Sequence, residues 1–242
     1  MRVAIYTAIY GGYDNLKAQP AQTLDCDFIC FTDDAQLTPV SPWRVVHSCP
    51  EETADLHPRL QSRYPKQMAH RFFRGRSRRK DGRLFEDLRR SPTYDYCIWI
   101  DASAQILKND FAEFLISHVG QFGIAMLRHP DRDCIFDEVL ACINLRNLKG
   151  LPLSEQVEHY RRQGYPEHNG LFAGGLIVRD LQAGRLKSIN SQWWKENLRW
   201  SSRDQLSLPY LLWKNGYGID EIPLNLWKND YFVITDHLKR TA

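Results

Sequence analysis

The chain has 242 residues and a mass of 28.3 kDa, room for one large domain or two small ones at roughly 150 residues each. Hydrophobic residues make up 43% and charged residues 25%, and no run approaches the ~18 uninterrupted apolar residues of a membrane span, so disordered, fibrous and membrane-embedded chains are excluded as the main state. The net charge of +3 hides an uneven distribution: Arg59 to Arg90 holds twelve Arg/Lys against three Asp/Glu, a local +9, and the rest of the chain carries −6.

In chain order, residues 2–9 (RVAIYTAI) form an apolar run that stops at Gly11-Gly12 and predict a buried strand. The run is too short for an export signal and lacks a small-residue cleavage site, so the expected location is the cytoplasm. Residues 26–32 and 43–47 predict two further strands, and 59–73 alternate basic and apolar residues at helical spacing. The densest part of the basic block, Arg74–Lys80, reads either as a solvated loop or as a docking surface for an anionic partner. Strands follow at 94–100, 122–127, 174–179 and 231–235, with helices at 110–119, 133–146 and 154–163. Ser201 and Asp204 have the spacing of a capping box, the helix after them carrying Leu206, Tyr210 and Trp213 on one face. Alternating strands and helices, with short apolar strands ending in polar residues, predict an α/β sandwich on a mostly parallel mixed sheet, whose ligands sit at the carboxyl ends of the strands.

That rule selects Thr7, Asp33, Asp34, Asp101 and Ser103. Asp101 and Ser103, two residues apart in an extended chain, point the same way and suit one hard cation, Mn²⁺ or Mg²⁺; the structural reading is an aspartate capping a turn. Gly174-Gly175 either lets backbone approach a ligand or forms a bulge. Arg203, Asp204 and Gln205 open a helix and suit a phosphate or hydroxyl, or simply cap it. His129, Arg132 and Glu138, in and after a polar loop at a strand end, are candidates for binding an acceptor substrate. His237, beside Asp236, is a candidate metal ligand. Trp193, Trp194 and Trp200 suit either a sugar or the core. The six cysteines form no CxxC pair, and Cys26, Cys30, Cys97 and Cys134 lie in or beside apolar runs, as reduced buried thiols do. The basic block has only Phe72, Phe73 and Phe85 interleaved and matches no nucleic-acid motif, so no nucleic acid is expected.

The ordered segments VAIYTAIYGGYDNL, DFICFTDD, PKQMAH, YDYCIWIDAS, LRHPDRDCIFDE, QVEHYRRQGYP, LFAGGLIVRD and WWKENLRWSSRDQLSLPY resemble a glycosyltransferase-like family once catalogued as a domain of unknown function, over roughly residues 2–215. Its plant members are associated with pectin and mucilage synthesis, and its bacterial members are soluble. The family is similar to GT-A glycosyltransferases. The resemblance implies one Rossmann-like α/β/α domain over 1–242 with a basic insertion at about 74–90, a nucleotide-sugar donor, UDP-linked, a glycan or lipid-linked glycan acceptor, and a divalent metal. By position it implies Thr7, Tyr10 and Asp33 near the nucleobase and ribose, Lys66 and His70 beside the donor phosphates, and Asp101 at the metal-binding aspartate of a DxD motif whose third position here is Ser103. Gly174 and Gly175 resemble the loop that passes the donor sugar, and Asp204 and Gln205 the late acidic motif at the reaction centre. The Arg71–Arg90 block would then meet an acidic acceptor or an anionic membrane face. The competing reading is a non-catalytic nucleotide- or glycan-binding protein with a decayed site.

Overall fold

The computed structural model describes residues 1–73, 93–145 and 148–236. Its centre is a seven-stranded sheet in the order β3-β2-β1-β4-β7-β6-β8, built from β1 (Arg2–Ile9), β2 (Asp25–Thr32), β3 (Trp43–His47), β4 (Tyr96–Ile100), β6 (Ile124–Arg128), β7 (Phe172–Asp180) and β8 (Asp220–Glu221). Strands β3, β2, β1 and β4 run parallel. Strand β7 runs antiparallel to both β4 and β6, and β8 returns parallel to β6. A two-stranded sheet pairs β5 (Ala104–Ile106) with β9 (Phe232–Ile234).

Both faces of the central strands are apolar, as a covered parallel sheet requires. Ala4, Tyr6, Phe31, Cys97, Trp99 and Ile177 point into one core. That core is covered by α2 (His70–Phe73), α4 (Ile135–Cys142), α5 (Leu153–Arg162), α6 (Leu186–Arg199) and α7 (Asp204–Lys214). Val3, Ile5, Phe28, Cys30, Ile98 and Val178 point into the other, covered by α3 (Phe111–Ile116) and the small sheet. Helix α1 (Pro58–Gln67) packs Tyr64 and Met68, just past its end, on Trp194 of α6. The expected α/β/α sandwich with a mostly parallel mixed sheet is the observed architecture, although its two helical layers are unequal.

The expected strands appear within a few residues of their sequence bounds, and α6, β5 and β8 are additions to them. Two local expectations are corrected. Helix α7 starts at Asp204 with Arg203 in the capping position and no side-chain cap. Ser201 turns away and donates to Gln156 Oε1 at 2.6 Å, while the Asp204 carboxylate is drawn to cations on α1. The stretch Asp101–Ala104 is a turn closed by the Ala104 N–H on the Asp101 carbonyl at 2.9 Å, so Asp101 and Ser103 are not an extended i, i+2 pair. Most of the basic block (residues 74–90) and His237 lie outside the described residues. Arg71 lies within them, 2.5 Å from Glu52.

Candidate functional site

The carboxyl ends of β1, β2 and β4 open on one edge of the sheet, where β7 enters from the opposite direction. The β6 register jumps from Met126–Ile177 to Leu127–Ala173, so Gly174, Gly175 and Leu176 bulge away from β6. Leu176 stays paired with Ile100, and the Asp101 N–H donates to the Gly175 carbonyl at 2.9 Å. The bulge sets Asp101 against the glycines. A β-carbon on Gly175 would lie 3.4 Å from Asp101 Oδ2, and one on Gly174 3.0 Å from Lys66 Nζ. Of the two sequence readings of the glycine pair, the bulge is what the strand register shows, and it brings Lys66 and Asp101 close to the glycines.

Asp101 is half-buried. The Trp99 indole donates to its Oδ1 at 2.8 Å, which fixes the carboxylate and leaves Oδ2 toward Gly175. From the other side, Lys17 Nζ donates to the Ala102 carbonyl at 2.9 Å and holds the turn. Ser103 is buried, and its carbonyl accepts from Thr235.

Helix α1 supplies cations. Arg59, Arg63 and Lys66 sit at i, i+4 and i+7, one helical face. Lys66 Nζ lies 2.5 Å from Asp204 Oδ2 and 5.6 Å from the centre of the Trp99 ring, and Arg63 Nε lies 3.4 Å from the same carboxylate oxygen. Lys66 and Asp204 are each 2% exposed, so this pair is largely desolvated. Burial pushes the Asp204 carboxyl up, but Arg63 and Lys66 outweigh it and hold its pKa down at about 2. Burial lowers the Lys66 ammonium against the pull of Asp204 and Asp101. Burial also lowers Arg59, with like charge from Arg63 and Arg203 in the same direction. Gln205 Nε2 donates to the Phe172 carbonyl at 3.0 Å and ties the start of α7 to the start of β7.

A second cluster backs the first. Glu138 of α4 has a fully buried side chain and accepts from Arg132 Nε at 2.7 Å, from Arg203 Nε at 3.0 Å and from the Cys142 thiol at 3.0 Å. Burial pushes Glu138 up, and Arg203 with these hydrogen bonds brings it below the usual carboxylate range. His129 Nε2 stands 3.8 Å from Glu138, and its pKa is lowered by burial, which outweighs that carboxylate. The structure thus brings the three expected acceptor residues together, with a correction for Glu138. Its carboxylate is sealed off and spent on two arginines, so it anchors Arg203, the residue before Asp204, instead of facing a ligand.

The residues expected at the nucleoside divide in the same way. Asp33 is exposed and accepts from the Gly11 N–H at 2.9 Å, fixing a turn at φ +62° where β1 ends. Thr7 lies inside β1 with no exposure, and Tyr10 is buried with its hydroxyl donating to the Ser48 carbonyl at 2.6 Å. These two support the edge from behind because apolar packing encloses them. His70 is half-buried at the start of α2, four residues after Lys66. Trp193 and Trp194 are core residues.

The glycosyltransferase-like domain described as TOD1/MUCI70 matches residues 1–233. The chain belongs to the TOD1/MUCI70 glycosyltransferase-like family. Among solved structures, the apo form of the bifunctional glycosyltransferase WbbM aligns with this family member over 93% of its length at 12% identity and a TM-score of 0.48, and the alignment takes in 38% of the WbbM chain. No curated protein matches the sequence.

In this TOD1/MUCI70 member, sequence reasoning passed over Arg63 and Trp99 as site residues. The signal for Arg63 is its spacing with Arg59 and Lys66. Trp99 carried none, since an apolar strand residue says nothing of where its N–H points. The Gly174 geometry gives one prediction. Gly174→Ala places a methyl group 3.0 Å from Lys66 Nζ and 3.7 Å from the Asp204 carboxylate. Displacing a buried ion pair is expected to cost about 1–3 kcal/mol, as overpacking does, and chemical denaturation measures it. Gly175→Ala, with ordinary contact distance to Asp101, is expected to fall below that range.

Proposed function

We propose that this protein is a glycosyltransferase that moves a sugar from a UDP-linked donor to a glycan or lipid-linked glycan acceptor. One observation carries the reading: Arg59, Arg63, Lys66 and Arg203 act on one another's charge around Asp204, and Lys66 reaches the Gly174 bulge beside Asp101. Cations held together against their mutual repulsion, at the ligand-binding edge of an α/β sheet, suit a diphosphate. Breaking the sugar–diphosphate bond builds negative charge on the leaving group, and a preset cationic wall stabilises that charge where it forms.

In this reading Arg59 and Arg63 take the diphosphate, Lys66 adds its charge from its buried pair with Asp204, His70 stands beside them, and Asp33 takes the ribose at the end of β2. Thr7, Tyr10 and Ser103 shape the floor. Gly174 and Gly175 leave room for the donor sugar, and Asp101 faces it. His129 and Arg132 border the acceptor side, and residues 71–90 are the segment for an anionic acceptor or membrane face. Asp204 is the counter-ion that sets Lys66 and Arg63 and, with Gln205, fixes α7 against β7. A carboxylate held near pKa 2 is a poor acceptor for a hydroxyl proton at neutral pH.

A divalent ion fits the site in a limited way. Asp101 is the protein carboxylate suited to it, with Oδ1 fixed by Trp99, and the donor phosphates would complete its shell, as Mg²⁺ sites commonly do. Such an ion would add positive charge at the diphosphate. Ser103 is buried in the turn after Asp101 and is not counted among the ligands in this reading. This single-carboxylate geometry is also what favours the competing reading, a binding protein that holds nucleotide without turnover.

Thermal shift with UDP, GDP, CMP and ADP, each with Mn²⁺, Mg²⁺ or EDTA, tests the reading. UDP at 100 times its dissociation constant should stabilise the protein by about 2.7 kcal/mol. The shift should survive EDTA in part and vanish in Arg63→Ala. No shift with any nucleotide overturns the donor site. A UDP shift without release of UDP from UDP-sugars, with acceptors supplied, favours the binding protein.

A further inference from the structure

A second cluster of chemically competent side chains lies outside the cationic edge. We infer that Cys134, Asp137 and His168 form a binding site for a zinc-class divalent transition-metal ion. One donor atom from each residue lies within 4.8 Å of the other two. Cys134, a buried residue, caps the start of α4 in extended backbone, and the exposed Asp137 stands three positions later in the first turn. His168 comes from the other side, on the segment between α5 and β7.

Two features separate this cluster from a chance meeting of side chains. The donor set is mixed: a thiol sulfur, an imidazole nitrogen and a carboxylate oxygen. That chemistry selects a borderline-soft ion such as Zn²⁺, which accepts all three, over Mg²⁺ or Ca²⁺, which take oxygen. The imidazole is already oriented, because the Asp133 carboxylate lies 2.8 Å from His168 Nδ1. A carboxylate behind a ligating histidine is the usual outer support of a zinc site.

Three protein ligands leave a fourth tetrahedral position for water or a substrate group. The position in the fold suggests what the ion does. Residues 132–138 lead from Arg132 to Glu138, which anchors Arg203. The segment after His168 leads to Phe172, whose carbonyl takes Gln205. An ion at Cys134, Asp137 and His168 clips together the two segments that fix the start of α7. The site does not depend on the donor reading, since none of its residues belongs to the cationic edge.

Titration of the full-length, thiol-reduced protein with Co²⁺, a spectroscopic stand-in for Zn²⁺, tests the inference. Binding is expected to saturate at one equivalent with a thiolate-to-cobalt charge-transfer band, to be displaced by Zn²⁺, and to raise the melting temperature. His168→Ala and Asp137→Asn alter exposed side chains, so the fold should tolerate both, and each should abolish the band. Asp133→Asn should weaken binding about 10–100-fold, and Asp101→Ala should leave the band intact. Absence of saturable binding overturns the inference. So does binding without a thiolate band, a band that persists in His168→Ala, or a band lost in Asp101→Ala.

Discussion

Replacing Asp101 with alanine should abolish sugar transfer and UDP release, by about 10²–10³-fold or more, while the protein stays folded. The two halves of this expectation come from different observations. The carboxylate is half-buried in a turn, and the buried Lys66 ammonium that it attracts keeps Asp204 as its contact partner when Asp101 is removed. Its removal leaves the indole N–H of Trp99, a side chain 2% exposed, without its acceptor, which costs about 1–3 kcal/mol. Its oxygen Oδ2, however, lies by the Gly174–Gly175 bulge, where the proposed donor sugar and diphosphate meet. Asp101→Asn separates charge from shape, since its amide oxygen still accepts from Trp99 but offers no negative charge. Equal loss in both variants assigns the effect to charge; activity kept in Asn alone assigns it to positioning. Wild-type turnover in both, measured as UDP release, removes Asp101 from the chemistry.

The parts of the fold legible in the sequence were those with strong local patterning. Strands β1, β2 and β4 are apolar on both faces and end abruptly at glycine or aspartate, so their existence and their functional ends follow from periodicity alone. The core alternative for Trp193 and Trp194 holds, but helix α6 itself was not read, although Leu186, Ile189 and Trp193 make one buried face. Strands β5 and β8, with three and two residues, are too short to show a period and exist through their long-range partners. At the site, sequence reasoning reached the residues by type and place, and missed how they combine. Nothing local says that Asp204 turns from capping its helix to meet Lys66, 138 positions earlier, or that Glu138 turns inward to two arginines. Those choices are tertiary: a charged group entering a core takes the nearest opposite charge, and which charge is nearest depends on how α1 packs against α7 and β7.

Removing the charge on Asp204 should produce the largest loss of stability of any single conservative change at the site. Asp204→Asn keeps the shape but leaves Lys66, 2% exposed, and Arg63 facing a neutral amide. Stripping one partner from a buried ion pair costs about 3–5 kcal/mol, which at roughly 2–4 °C per kcal/mol for a chain of this size lowers the melting temperature by roughly 6–20 °C. The double variant Asp204→Asn/Lys66→Met removes both buried charges and should recover much of the loss, because the penalty arises from the stranded ammonium more than from the missing contact. The pH dependence has a definite sign. The Asp204 pKa of about 2 in the folded protein lies below its ordinary 3.8, so its contribution is fully present above pH 3.8 and is lost as pH falls toward 2. That contribution is about 2 kcal/mol, and it should be missing from the acid limb of the stability profile in Asp204→Asn. If Asp204→Asn melts like wild type, or if adding Lys66→Met deepens the loss, the pair is not the electrostatic keystone of the edge. If the double variant instead regains stability without regaining UDP binding, then Lys66 is held at this edge for the ligand, at a standing cost to the fold that Asp204 offsets.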